Sequence, residues 1–237
     1  MLVAAAVCPH PPVLVPEVAV GAAAELAGLR GACDDAVRTL LAASPDQIVV
    51  VGNGPRTEEL PGDVGGDLRR YGVDVRAGGD SSVLPLSLTI GAWLLDRSGT
   101  TTTRRYVSVS PEEPPDRIAA IGAEAVAGER RVALLVMADG SARRTETSPG
   151  PYHPEAQAFD TRVTEALTTL DTETLLAIDE ETCRTLWAAG RRGWQALAGA
   201  VAADPATAAA LRGAAHVSYD EAPYGVGYVV ITYHRPS

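Results

Sequence analysis

Short continuous apolar runs alternate with alanine-rich stretches of helical period along the chain. Leu2–Cys8 reads as a buried strand, closed by Pro9-His10-Pro11-Pro12. Gly21–Ala43 carries Leu26, Leu29, Ala36, Val37, Leu40 and Leu41 at helical spacing and predicts a helix. Gln47–Val51 is a second strand, ended by Gly52-Asn53-Gly54-Pro55. A Gly-rich loop, Pro61–Gly66, leads to Tyr71–Arg76, whose alternation predicts a strand, and then to a short helix over Ser87–Leu95. Arg104–Val109 reads as a strand. Pro111–Ala127 opens on Pro-Glu-Glu-Pro-Pro and stops at Gly128, which are helix start and stop signals. Arg131–Ala138, unbroken in apolar character from Val132 to Met137, is the expected central strand.

After the loop Asp139–Tyr152 the pattern turns helical from Pro154 to Leu211, with breaks expected near Asp171, Asp179 and Asp204-Pro205. Ala214–Tyr219 and Val226–Tyr233 read as a closing hairpin, joined by Asp220-Glu221-Ala222-Pro223-Tyr224-Gly225. Strands that are apolar throughout must be covered on both faces. The sequence therefore predicts an α/β fold: a three-layer α/β/α single domain over residues 1–237, with a mostly parallel central sheet and a C-terminal hairpin.

Composition sharpens this picture. With 40 alanines and a single phenylalanine, Phe159, the core must be built from Ala, Val and Leu, with helices packed closely. The 237 residues suffice for a core that needs no disulfide or metal. All twenty basic residues are arginine. The absence of lysine excludes a pyridoxal-phosphate Schiff base, a lysine-dependent aldolase, a P-loop lysine and a kinase ATP lysine. A net charge of −10, with arginines scattered in pairs, argues against nucleic-acid binding. Cys8, Cys33 and Cys183 are far apart, lack a Cys-x-x-Cys pair and read as reduced thiols. The apolar N-terminal run is uncharged and stops at Pro9, so neither a membrane span nor a signal peptide is expected, and the expected location is cytoplasmic.

In open α/β sheets ligands bind beyond the carboxyl ends of the strands. The polar residues following predicted strands are His10, Asn53 and Arg56, Asp139 and Ser141, and Asp220 and Glu221. Turn chemistry alone also favours such residues in loops. His10, held between prolines, is suited to metal ligation or general-base work. His153, in Pro151-Tyr152-His153-Pro154-Glu155, opens a helix and reads first as part of its cap region. Gly52-x-Gly54 fails as a dinucleotide loop because Thr57 stands at the third glycine position. No Gly-x-Ser-x-Gly elbow, His-Glu-x-x-His or zinc-ribbon spacing occurs.

Several segments together resemble a known family. They are Ala6-Val7-Cys8-Pro9-His10-Pro11-Pro12, Val49 to Thr57, Met137-Ala138-Asp139-Gly140-Ser141-Ala142, His153 to Asp160, and Ser218-Tyr219-Asp220-Glu221-Ala222-Pro223. Collinear over nearly the whole chain, they resemble the class III (LigB-type) extradiol ring-cleavage dioxygenases and their Memo-like relatives. The resemblance implies an α/β/α fold, a small aromatic, catechol-like substrate, and ferrous iron held by two histidines and a carboxylate. It places His10 at the first ligand, Asn53 at the second, and Glu221 (or Asp220) at the carboxylate. The position of the family's catalytic histidine falls on Ala142.

An amide in place of imidazole implies iron that is weakly held, lost or replaced by another divalent metal. Without the acid/base histidine a further ~10²–10⁴ in rate is lost. Asp139, Cys8 and His153 are the candidates to substitute for it. Three readings follow: a dioxygenase-like enzyme with a degenerate non-haem iron site, a non-catalytic Memo-like binding or assembly protein, and a hydrolase using Ser141, Asp139 and His153. Homo-oligomer formation is left open by the sequence.

Overall fold

The computed structural model describes residues 1–234. In chain order its elements are β1 (Leu2–Cys8), α1 (Pro16–Ala19), α2 (Ala27–Ala42), β2 (Gln47–Asn53), β3 (Glu58–Pro61), β4 (Gly65–Asp67), β5 (Arg76–Gly78), α3 (Leu86–Arg97), β6 (Thr103–Val109), α4 (Pro115–Ala125) and β7 (Val132–Met137). There follow α5 (Ala156–Thr169), α6 (Thr172–Leu176), α7 (Glu180–Leu186), α8 (Arg191–Ala202), α9 (Pro205–Leu211), β8 (Ala215–Glu221) and β9 (Tyr228–Tyr233).

Seven strands form one sheet in the order β3-β6-β2-β7-β1-β9-β8. The inner four, β6, β2, β7 and β1, run parallel; β3 and the β8–β9 hairpin add antiparallel pairs at the edges. β7 is the middle strand and all six of its residues are buried. Its side chains alternate between two cores, as a pleated strand requires. Ala133, Leu135 and Met137 pack with α2 and α3, whereas Val132, Leu134 and Val136 pack with α4, α5 and α8. These are the three layers of an α/β/α fold. Among the described residues no helix is long and apolar enough to cross a membrane.

The alanine-rich composition has its effect where α4 and α8 meet. A Cβ on Gly122 would overlap the Ala196 carbonyl, and one on Gly199 would overlap that of Ala119. The breaks expected at Asp171, Asp179 and Asp204 are N-caps, their carboxylates accepting from Thr174, Thr182 and Ala206 N–H respectively. The three cysteines are free and buried.

Some elements differ from expectation. Tyr71–Arg76 is not a strand: Arg69–Tyr71 is a 3₁₀ turn, Gly72 takes φ +82°, and only Arg76–Gly78 pairs, with β4, in a separate two-stranded sheet. The left-handed glycine breaks the extended run that the alternation suggested. The helix expected from Gly21 starts at Ala27, because residues 20–27 close successive i→i+3 turns instead. The helix expected from Pro111 starts at Pro115, where a proline at the first helical position loses no bond. The β3 edge strand, Glu58–Pro61, was not foreseen. Asn53, Asp220 and Glu221 are the last residues of their strands and not loop residues.

Candidate functional site

His10, Asn53, Asp139 and Glu221 all lie at the carboxyl end of the sheet, because β1, β2 and β7 are parallel and β8, twice antiparallel through β9, shares their direction. Beyond that shared rim their side chains take different partners. His10 is 6% exposed. Its backbone N–H donates to Asp139 Oδ1 at 2.7 Å, and its Nδ1 faces the same oxygen at 3.5 Å without a formed hydrogen bond. This pair joins the ends of the neighbouring strands β1 and β7.

Asn53 turns to the α8 layer. Its Nδ2 donates to the Ala189 carbonyl and its Oδ1 is buried without a partner. Glu221 is exposed on the edge strand β8, two strand spacings or about 10 Å from β1. Burial, together with the Glu221 carboxylate beside it, raises the Tyr219 phenol to about 12. Burial and the neighbouring Asp139 carboxylate push the Tyr228 phenol up as well.

The residues do not fit a three-ligand iron site. Among the described residues no three His, Cys, Asp or Glu side chains are grouped to hold a metal ion. A facial triad needs three donors converging at about 2 Å on one point. Here the imidazole faces Asp139, the amide nitrogen is bonded to the Ala189 carbonyl, and the carboxylate stands at an exposed edge.

The other candidates are engaged elsewhere. Ser141 is fully buried; its N–H and hydroxyl both donate to the Asp160 carboxylate, at 2.8 and 2.7 Å, and not to a histidine. His153 Nδ1 accepts from the Glu155 N–H at 3.3 Å, capping the turn before α5. Arg56 is exposed and contributes its carbonyl to Ser108 Oγ at 2.7 Å. Ala142 packs against the α2–α3 core and offers no proton-transfer group. Asp220 faces the α5 side of the sheet, paired with Val229 and close enough to Asp160 to raise its pKa.

Asp160 itself did not emerge from the sequence reading as a site residue. It is 7% exposed on α5, its carboxyl raised to about 6 chiefly by burial, against the hydrogen bonds from Ser141 and the Arg144 guanidinium 3.7 Å away. The signal was present: Asp160 falls on the apolar stripe Ala156, Phe159, Val163, Ala166 and Leu167, where an acid must find buried partners. Arg191, the first residue of α8, did not emerge from the sequence either. It is 4% exposed and bound by Glu180, with Gln195 and the Glu113 carbonyl.

No family model and no curated protein matches this sequence. Among solved structures, the chain is similar to an uncharacterized protein from Escherichia coli K12, at 13% identity and a TM-score of 0.55, over 98% of this chain and 99% of that one. At that identity the likeness is one of fold, extending over the whole three-layer architecture.

Proposed function

We propose that this chain is a class III extradiol dioxygenase-like protein whose iron site is degenerate, and that it works as a binding protein without ring cleavage. The observation that carries the reading is the absence of a third ligand: Asn53 Nδ2 is tied to the Ala189 carbonyl just before α8, the His10 imidazole faces Asp139, and among the described residues no three His, Cys, Asp or Glu side chains are grouped to hold a metal ion. The collinear sequence segments support the lineage. The fully buried Ser141, bonded to Asp160, gives the hydrolase reading no support.

The test is anaerobic titration with ferrous iron, followed by oxygen and a panel of catechols. The expected result is sub-stoichiometric iron after desalting and no yellow ring-opened product. Near-stoichiometric iron with catechol-dependent oxygen uptake, abolished by His10→Ala, would overturn the proposal.

A further inference from the structure

Four polar residues form a row across the carboxyl end of the sheet, on its α2 side. Cys8 of β1 lies beside Met137 of β7, and Val7 beside Ile231 of β9. Carried past Cys8, these registers set His10 between Asp139 and Tyr228, and Tyr228 is paired in turn with Glu221 of β8. The His10 N–H bond to Asp139 Oδ1, at 2.7 Å, fixes the first pair of neighbours. Asp139 acts on the Tyr228 phenol along the row, as do Tyr219 and Tyr224. Tyr224, in the turn between β8 and β9, brings a third carboxylate to the group, its hydroxyl donating to Glu25 Oε2 at 2.6 Å.

The row is rich in acceptors and lacks a fixed cation. Among the described residues no arginine pairs with Asp139, Glu221 or Glu25. His10 and Tyr228 are only 6% and 4% exposed. Polar side chains at that depth normally find partners. Yet among the described residues His10 Nε2, Asp139 Oδ2 and the Tyr228 hydroxyl have none, and none of these three atoms is sealed from solvent. Glu221 and Tyr224 are exposed, so the row is open from the hairpin side.

Spacing selects the kind of cation. Neighbouring strands lie about 4.8 Å apart. A metal ion draws its donors to within about 3–3.5 Å of one another. An ammonium nitrogen, with tetrahedral N–H groups and bonds of about 2.9 Å, reaches acceptors about 4.7 Å apart. We propose that this row binds a primary ammonium group, that of a small amine or of a lysine side chain. The ammonium donates to the neighbouring His10 Nε2 and Tyr228 hydroxyl, and the flanking Asp139 and Glu221 carboxylates balance its charge. The proposal rests on reading the rim as a binding site without ring cleavage, and a chelator keeps the two separable: ammonium binding is read without metal, ring cleavage only with iron.

The experiment uses the full chain, freed of metals, at about pH 8, where an imidazole is neutral and an alkylammonium charged. Benzylammonium and Nα-acetyl-lysine methylamide, titrated separately by calorimetry, distinguish a free amine from a lysine side chain. Saturable one-site binding of either is expected, with none of neutral benzyl alcohol. Tyr228→Phe keeps the ring without the acceptor and should weaken binding about fivefold. Glu221→Gln removes an exposed charge and should weaken it about threefold with the thermal midpoint unchanged. Glu129→Gln, the same charge change at an exposed position before β7, at the opposite end of the sheet, should leave binding as it was. Benzyl alcohol binding as well as benzylammonium, no saturable binding of either amine, or equal losses in Glu221→Gln and Glu129→Gln would overturn the proposal.

Discussion

Replacing Asp160 by asparagine should change how stability depends on pH more than stability at any single pH. Asp160 is held under the β7–α5 loop, where Gly140 and Gly227 leave it no free space: a Cβ on Gly140 would stand 2.8 Å from its Oδ1, and one on Gly227 would overlap its carboxylate. The loop is locked there by Gly140 N–H to the Gly227 carbonyl and Gly227 N–H to the Ser141 carbonyl, each 2.8 Å. Burial, and the like charge of Asp220, outweigh the Ser141 bonds and Arg144, so the carboxyl rises from 3.8 to about 6.

That shift of about two units corresponds to about 3 kcal/mol. Because the folded value lies above the unfolded one, this stabilisation is complete below about pH 4. It is lost as pH rises through about 6, at up to ~1.4 kcal/mol per pH unit. An amide keeps an acceptor for the Ser141 N–H and a donor for its hydroxyl, but does not titrate. Urea unfolding of both proteins from pH 4 to 8 should therefore give a difference that moves in favour of Asp160→Asn by about 3 kcal/mol toward neutral pH. The other carboxylates cancel in the comparison. Parallel pH profiles would refute the reasoning, and Arg144→Ala should move the wild-type midpoint upward.

The α4–α8 contact offers a sharper structural test. Gly122→Ala should cost about 3 kcal/mol in chemical unfolding, since backbone lies directly opposite, whereas exposed Gly28→Ala in α2, with nothing within 4 Å, should stabilise by about 0.5–1 kcal/mol. Asp179→Ala removes the α7 cap and should lower the thermal midpoint by about 2–4 °C in calorimetry. Tyr233→Phe deletes the buried 2.7 Å bond to the Leu167 carbonyl and should cost about 1–3 kcal/mol in urea unfolding.

The fold was legible because its central strands β1 and β7 are apolar at every position. Val132–Met137 can be satisfied only by helices on both faces, and that demand is written locally. The capping aspartates were equally local, each marking a break with its own side chain. Edge strands carry no such demand. Glu58–Pro61 is mostly exposed and becomes a strand only because β6 offers it a free edge.

The site was less legible, for a reason of geometry. The sequence could place His10, Asn53, Asp139 and Glu221 on one rim, because that depends only on strand direction. Which way each side chain turns depends on pleat phase and on which helix covers the strand end. Ser218 opposes no residue of β9, since Val217 pairs with Ile231 and Tyr219 with Val230, and this irregularity shifts the phase of the residues that follow. Asp220 therefore faces the α5 side with Val229, and Glu221 the α2 side with Tyr228. Asn53 is drawn to Ala189, 136 residues away in the chain. The sequence determined the layers and the rim; only tertiary packing decided who meets whom there, because one residue of register sends a side chain to the opposite face.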